Sequence, residues 1–590
     1  MVKTLRRLWF KLSSRRRKQF ALLSVLMLVG GVAEVVSLGA VIPFLAALAA
    51  PEKILLNPAV DSLYSSLCSL SSVFGLRFSP ITNHQSLSLV LAPTTLLSIL
   101  AFTFALAALS AGGIRLLLLW ASTRLANAAG ADLSLEVYRR TLYQPYSVHV
   151  SRNSSVIISN ITSKVGMVIL TLSSCLTIGT SFIIIISIVA ALFAINPTVA
   201  LIAALGLGFS YVLITKVSRK KMIYNSSSMA KEQTQVVKAL QEGLGGIRDV
   251  LLDGTQPAYC DIYQKADAPL RQASASITFI SQSPRFAMES IGMVLFALIA
   301  LRMTNSSQGM LTALPVLGAL ALGAQRLLPA LQQGYAGWSS IIGYQSSTQE
   351  VLKLLDQPLP PEASQQTPAP LLFKKSIQFD SVKFRYTTES PWVLDDLSFN
   401  IPKGNRVGFV GKTGSGKSTC LDILMGLLEP SGGRILVDGI VLDQRNIRSW
   451  QRNIAHVPQV IYLADTSLAE NIAFGVAPEK IDMKRVREAA RQAHIADFIE
   501  SSPQGYQALV GERGIRLSGG QRQRIGIARA LYKQAAVLVF DEATSALDHE
   551  TEKAVMEAIE DLSADLTILM IAHRVTTLKN CTQIIKFNNS

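Results

Sequence analysis

Gly411-Lys412-Thr413-Gly414-Ser415-Gly416-Lys417-Ser418 is the stretch on which the reading of this chain turns. It fits G-x-x-x-x-G-K-[ST], follows the strand-like run Arg406–Val410, and opens a helical pattern that continues through Thr419. Glycines at this spacing let backbone N–H groups wrap a polyphosphate at the positive end of a helix. Lys417 supplies a point charge for the β- and γ-phosphates, and the Ser418 hydroxyl suits Mg²⁺. A second element lies downstream. Ala536-Val537-Leu538-Val539-Phe540 reads as a buried parallel strand ending in Asp541-Glu542. A carboxylate at the carboxyl end of such a strand lies beside a nucleotide crevice. Asp541 is therefore expected to hold Mg²⁺ through water, and Glu542 to polarise an attacking water.

Working outward, the rest of the chain has a different character. Of 590 residues, 49% are hydrophobic and only 16% charged, with a mean hydropathy of +0.34. Soluble domains carry about 25% charged residues, so a wholly soluble chain is excluded, and a disordered one with it. Residues 1–250 hold 23 Lys+Arg against 8 Asp+Glu; the rest hold 33 against 32. A basic, apolar front half thus precedes a balanced rear half. Five scattered cysteines form no C-x-x-C pair, which excludes a disulfide framework and a zinc site.

Residues 1–18 form a basic segment with eight Lys/Arg and no acid. The apolar run from about Phe20 to Ala50 is too long for a cleaved signal sequence, whose core spans about 7–15 residues. Further apolar runs near 87–120, 165–195, 197–215, 286–303 and 311–330 bring the expected spans to six. Lys and Arg concentrate around 124–152 and 216–271, which places these connections, the N-terminus and the rear half in the cytoplasm. Helices are expected to continue past the membrane through 121–143 and 225–251. In the outer loop 51–86, Leu63, Leu67 and Leu70 follow helical spacing, although an irregular loop fits as well. The expected domains are 1–18, a transmembrane domain over 19–356, a Pro-rich linker over 357–370 and a nucleotide-binding domain over 371–590.

Between the two phosphate motifs, Leu517-Ser518-Gly519-Gly520-Gln521 resembles the signature of ATP-binding cassette (ABC) proteins. Six spans ahead of one cassette resemble an ABC exporter half-transporter. The fold class this implies is an all-α six-helix membrane domain of the type-I exporter fold followed by an α/β P-loop cassette. The resemblance assigns adenine stacking to Tyr386, γ-phosphate sensing and Mg²⁺ contact to Gln459, the D-loop to Ser545-Ala546-Leu547-Asp548 and the switch histidine to His573. Gly511-Glu512-Arg513-Gly514 resembles the segment that exporters use to contact their membrane domains. Cassettes of this family usually run further past the switch histidine than Ser590, which puts the packing of the C-terminal edge in doubt rather than the chemistry.

The resemblance also implies how the site works. One cassette supplies Lys417, Ser418, Gln459, Asp541 and Glu542, and a facing cassette supplies Ser518 and Gly520 over the γ-phosphate of ATP. One chain has one cassette, and none of its catalytic positions is degenerate, so a homodimer is expected rather than a heterodimer. Cytoplasmic turns near Gln144–Arg152 and Gln256–Tyr263 resemble the coupling helices. The implied protein is a multi-pass ATP hydrolase of the cell inner membrane, if the source is bacterial, with lipid neighbours and no nucleic-acid partner.

Cargo is read from charge. Arg115, Arg285 and Arg326 lie inside spans two, five and six, where arginine is costly and marks function by default. A ring of three suits a phosphate or pyrophosphate. Bland explanations compete: Arg285 and Glu289 are four apart on one helix face, arginines near the inner interface can snorkel to headgroups, and Glu34 can reach one of the others. Glu34-Val35-Val36-Ser37-Leu38-Gly39, Ile42-Pro43-Phe44-Leu45, Pro284-Arg285, Arg326-Leu327-Leu328-Pro329 and Ile461-Tyr462-Leu463 are similar to the lipid-linked oligosaccharide flippases of the PglK type. The leading expectation is therefore a polyprenyl-pyrophosphate glycan or a related anionic lipid-linked substrate. The alternative is a multidrug or lipid-A-type exporter, which predicts an aromatic, uncharged cavity and so stands against the three arginines. The short N-terminal segment leaves no room for a processing protease, an intact Glu542 speaks against a channel or sensor, and importers separate cassette from membrane domain.

Overall fold

The computed structural model describes residues 1–49, 93–195, 197–304, 310–360, 363, 368–541, 550, 552–553, 565–571 and 581–587. It divides into two units, one of Met1–Gln144 with Arg152–Leu359, the other of Pro145–Ser151 with Pro360–Ser590. The expected helix in 51–86 lies outside the described residues.

The first unit is helical. A short α1 (Val2–Lys11) precedes α2 (Ser14–Ala49), then come α3 (Pro93–Leu142), α4 (Tyr146–Ser151, grouped with the second unit) and α5 (Val165–Ile195). They are followed by α6 (Pro197–Gly245), α7 (Ile247–Leu252), α8 (Gln256–Thr304), α9 (Met310–Gly343) and α10 (Gln345–Leu355). As far as the described residues go, the expected spans coincide with parts of α2, α3, α5, α6, α8 and α9. Among the described residues, three stretches are long and apolar enough to cross a membrane: Ser14–Val41, Leu100–Leu142 and Ser154–Ala194. Pro197 starts α6, where its missing N–H costs nothing. At 1.5 Å per residue the 50 residues of α3 extend about 75 Å, far beyond a bilayer's roughly 30 Å core.

The basic segment 1–18 is part of the first unit. It forms α1 and the first turn of α2, because Leu8 and Leu12 bury against Val351, Leu352, Leu354 and Leu355 of α10. Arg7 and Lys11 pair with Asp356, and both cations hold its carboxyl below the usual range, Lys11 the more strongly. Gln256–Tyr263, the second segment similar to a coupling helix, forms the first turns of α8. The chain breaks earlier, at Gly245-Gly246, and α7 makes the turn; Gly254 at φ +62° then leads towards α8.

The α2–α3–α5 core closes around Met27, Leu118, Ala126, Ala129 and Val168. Small residues permit the approach: a Cβ on Gly130 would stand 2.1 Å from Ile169 Cγ1. Lys164 is fully buried in a π-helical turn, where it pairs with Glu350 and donates to Thr234 Oγ1 at 2.8 Å.

The second unit is α/β. An antiparallel sheet orders β1 (Ser376–Phe384), β2 (Leu394–Pro402), β4 (Gly432–Val437) and β5 (Ile440–Val441) as β2-β1-β4-β5. A parallel sheet orders β3 (Arg406–Gly411), β6 (Ile454–Val457), β7 (Val537–Asp541), β8 (Thr567–Ile571) and β9 (Gln583–Phe587) as β6-β7-β8-β3-β9. Strands β7 and β8 read as unbroken apolar runs because the parallel sheet is covered on both faces.

On β6, His456 has a buried Nε2 with no hydrogen-bond partner among the described residues, and burial lowers its pKa below the usual 6.5. The unfolded chain therefore takes up a proton there before the folded one does. Stability is present above pH 6.5 and lost as pH falls through that value, at a slope of up to about 1.4 kcal/mol per pH unit. His456→Phe is expected to shrink the drop in unfolding temperature between pH 7.5 and 5.5. An unchanged drop would assign the acid sensitivity to other groups.

Candidate functional site

The turn after β3 builds a phosphate cradle. Gly414 and Gly416 adopt φ +85° and +90°, which aims successive N–H groups to one side, ahead of α11 (Lys417–Leu424). A Cβ on Gly416 would stand 2.9 Å from Val393 O, and one on Gly411 2.7 Å from Phe587 O, so neither position admits a side chain. Lys417 Nζ donates to its own loop carbonyls, Gly411 O at 2.8 Å and Lys412 O at 2.9 Å. The ammonium is thus held over the loop where a phosphate oxygen would replace those carbonyls. Thr413 is exposed at the rim, and Ser415 Oγ is buried without a partner among the described residues.

Ser418 Oγ donates to Asp541 Oδ1 at 3.5 Å, which joins the loop to the end of β7. Hydroxyl and carboxylate oxygens of this kind are hard donors that fit Mg²⁺. Tyr386 presents an exposed ring, held edge-on to Phe384 with centroids 5.0 Å apart, and its hydroxyl lies 3.2 Å from Thr419 Oγ1. Gln459 is exposed just after β6. Glu542, Asp548 and His573 lie outside the described residues.

Ser518 caps α12 (Gly519–Lys533) in a capping box: its Oγ accepts from Gln521 N at 3.2 Å, and its N donates to Gln521 Oε1 at 2.9 Å. This explains Gln521 locally, since it holds the cap, while the Ser518 hydroxyl keeps its proton for another acceptor. Gly519 and Gly520 form the first turn of α12, so their N–H groups are free of intrahelical acceptors. In the cassette, Asp422 escaped the sequence reading. It lies on α11 and is pushed up to about 6 by burial first and then by the charge of Asp541. Tyr146 of α4 is raised by burial and by Asp422 and Tyr386, so α4 meets the cassette beside the nucleotide loop.

In the membrane unit each of the three arginines has a carboxylate partner. Glu34, 1% exposed on α2, pairs with both Arg115 of α3 and Arg326 of α9, and Arg326 Nη2 donates to Ser37 Oγ at 3.3 Å. Arg285 stands apart on α8. It donates to Glu289 Oε1 at 2.9 Å, and Gln332 Nε2 reaches the same oxygen at 3.3 Å. The physical reason is cost: a carboxylate partner offsets each guanidinium that the sequence left in the spans. Around Arg285 opens a cleft of about 640 Å³, lined on one side by Gln282, Glu289, Gln325, Gln332 and Gln333 and also by Phe286, Leu328 and Pro329. Sequence reasoning missed these glutamines. Their signal was present, as amides recurring at helical spacing in otherwise apolar helices.

Residues 394–545 match the family model described as ABC transporter, and residues 56–315 match ABC transporter transmembrane region. An ATP-dependent lipid A-core flippase of Cupriavidus metallidurans (strain ATCC 43123 / DSM 2839 / NBRC 102507 / CH34) is 30% identical over 476 residues, 78% of each chain. One from Burkholderia pseudomallei (strain 1710b) is 30% identical over 467 residues, 77% of this chain and 76% of the relative. One from Methylococcus capsulatus (strain ATCC 33009 / NCIMB 11132 / Bath) is 46% identical over 209 residues, 35% of each. A solved bacterial Atm1-family ABC exporter with ATP bound superposes with a TM-score of 0.75 at 25% identity, covering 97% of this chain and 93% of the other.

Proposed function

The chain belongs to the ABC transporter family, and from that premise we propose that it flips an anionic glycolipid of the lipid A-core type across the bacterial inner membrane. It is a half-transporter of the type-I exporter fold, a multi-pass membrane protein that hydrolyses ATP; half-transporters of this family work as dimers. The proposed active unit is a homodimer with both cassettes in the cytoplasm.

The reading rests on one observation, the cleft around Arg285. Four glutamines and an arginine–glutamate pair offer donors and acceptors to a sugar head, and Phe286, Leu328 and Pro329 beside them offer apolar surface to the lipid part. The objection that three arginines raise to a lipid-A-type cargo loses its force, because each is paired with a carboxylate. The expected polyprenyl-pyrophosphate glycan is the second reading. It is favoured by the net +1 charge of Arg115 and Arg326 with Glu34, where the Arg115 side chain is 48% exposed.

In the cassette, Lys417 and the loop N–H groups would hold the phosphates of ATP, while Ser418 and Asp541, with Gln459, would hold Mg²⁺, which supplies positive charge against the phosphate oxygens. Tyr386 stacks on adenine. Glu542 orients the attacking water, and His573 contacts the γ-phosphate. Ser518 and Gly520 of one copy cover the nucleotide of the other, and Asp548 lines the seam. Closing therefore makes contacts that the open pair lacks, and hydrolysis removes them.

ATPase stimulation in proteoliposomes tests the cargo. Lipid A-core is expected to raise turnover severalfold, more than a polyprenyl-pyrophosphate glycan does and with no response to an uncharged drug. Arg285→Gln with Gln332→Ala should cancel most of the stimulation and leave basal hydrolysis intact. Stimulation by the pyrophosphate glycan alone would transfer the assignment to the second reading; none by either lipid would end both.

A further inference from the structure

At the end of the membrane unit, the four consecutive residues Leu355-Asp356-Gln357-Pro358 are each held by a donor from a distant part of the chain. Lys11 Nζ donates to Leu355 O at 2.8 Å and lies 2.8 Å from Asp356 Oδ1, and Arg7 pairs with the same carboxylate. Arg140 Nη1 donates to Gln357 O at 2.6 Å, and Gln144 Nε2 donates to Pro358 O at 3.1 Å. Gln357 is buried; with its amide turned to suit the donors around it, the side-chain oxygen accepts from Arg152 Nη2 at 3.1 Å. Every one of these residues belongs to the first unit.

Capping explains part of the arrangement. Pro358 disfavours helix at Gln357, so α10 stops at Leu355 and leaves its last carbonyls without intrahelical donors. Lys11 and Arg7 meet that negative helix end as cations should. Arg140, Gln144 and Arg152 act differently, because they grip residues beyond the helix. Arg140 is fixed in turn by Glu136, through Nε at 2.6 Å, and Gln144 Nε2 also donates to Arg140 O at 2.8 Å. Their places in the chain are informative. Gln144 and Arg152 flank Pro145–Ser151, the stretch with α4 that groups with the cassette, and Leu359 is the last residue before the cassette's own run. The chain therefore crosses between the units after Gln144, before Arg152 and after Leu359. The grip on Gln357 and Pro358 ties together the membrane-unit side of all three crossings.

We propose that Arg140, Gln144 and Arg152 are positioning residues for ATP-driven transport, which lock the exit of the linker to both flanks of α4 so that all three connections to the cassette shift as one. They touch neither nucleotide nor cargo and act through Gln357 and Pro358. A free strand between two moving bodies absorbs displacement by turning about its own φ and ψ, whereas one gripped at its exit passes the displacement on. Arg7 and Lys11 of α1 hold the other side of the joint at Asp356. The inference requires an ATP-driven half-transporter and is independent of which lipid it carries.

Hydrogen–deuterium exchange of the full-length protein in nanodiscs, nucleotide-free against trapped with MgATP and vanadate, reads the movement of each unit separately. Wild type is expected to change in both units. Arg140→Ala with Gln144→Ala should keep the change in the cassette and lose at least half of it in α3 and α6. Arg140→Lys, which keeps a donor for Gln357 O, should retain most of the wild-type change; a merely structural role would not separate the two units. A full membrane-unit change in the double variant would overturn the proposal. A second measurement decides the matter where that variant fails to fold. Gln144→Cys with Pro358→Cys, in a chain whose native cysteines are replaced by serine or alanine, is bridged by a short cleavable bifunctional thiol reagent. Its ATP turnover is expected to stay within about twofold of the unbridged chain, since the joint remains closed throughout the cycle. Turnover lost on bridging and restored on cleavage would show that the joint must open, and would overturn the proposal. Which lipid stimulates turnover enters neither measurement.

Discussion

Glu542→Gln is expected to lower ATP turnover by roughly 100- to 1000-fold while ATP and Mg²⁺ still bind. The carboxylate stands one residue beyond Asp541, the last residue of β7, whose partner is the Ser418 hydroxyl of the phosphate loop. An amide of the same shape keeps the position but cannot take up charge from an attacking water. Binding is carried by other groups, namely the loop N–H groups, Lys417 and Tyr386, so nucleotide should accumulate unhydrolysed and hold the two copies together. Single-turnover hydrolysis and the nucleotide retained after gel filtration would separate the two effects. Wild-type turnover in this variant would remove Glu542 from the chemistry and leave Gln459 or His573 to orient the water.

Glu34→Ala is expected to destabilise the membrane unit by about 3–5 kcal/mol, the usual cost of stranding buried charge. Here one deeply buried carboxylate serves two guanidiniums, Arg115 and Arg326, so its removal leaves both without a counter-charge. For a domain of this size the unfolding temperature should fall by roughly 6–20 °C. Replacing Glu34, Arg115 and Arg326 together with leucine should recover most of that loss, because no charge then remains to be stranded. If Glu34→Ala unfolded at the wild-type temperature, the three-way pairing would not be holding α2, α3 and α9 together.

The nucleotide site was legible because its chemistry is local. Glycines at 411, 414 and 416, the lysine and hydroxyl after them and the acidic end of a buried strand each lie within a few residues of the backbone that positions them. The spans were legible for a similar reason, since bilayer thickness imposes a length that hydropathy records. Ile461-Tyr462-Leu463 shows where local reading stops: Ile461 and Leu463 are buried and Tyr462 is 63% exposed, an alternation that only packing explains. Pro257 opens α8 rather than breaking it, because Pro at a helix start is well tolerated, and the chain turns just before it, between Gly245 and Thr255.

By itself, then, the sequence determined an ATP-driven cassette behind a helical membrane domain, because period, length and glycine spacing are properties of short stretches of chain. It also contained the Arg285–Glu289 pair, four residues apart on one helix. Only the tertiary structure decided that Arg115 and Arg326 share Glu34, across 81 and 292 residues of chain. Charge in the low-dielectric interior is set by which side chains packing brings within a few ångströms, and no periodicity along the chain records that.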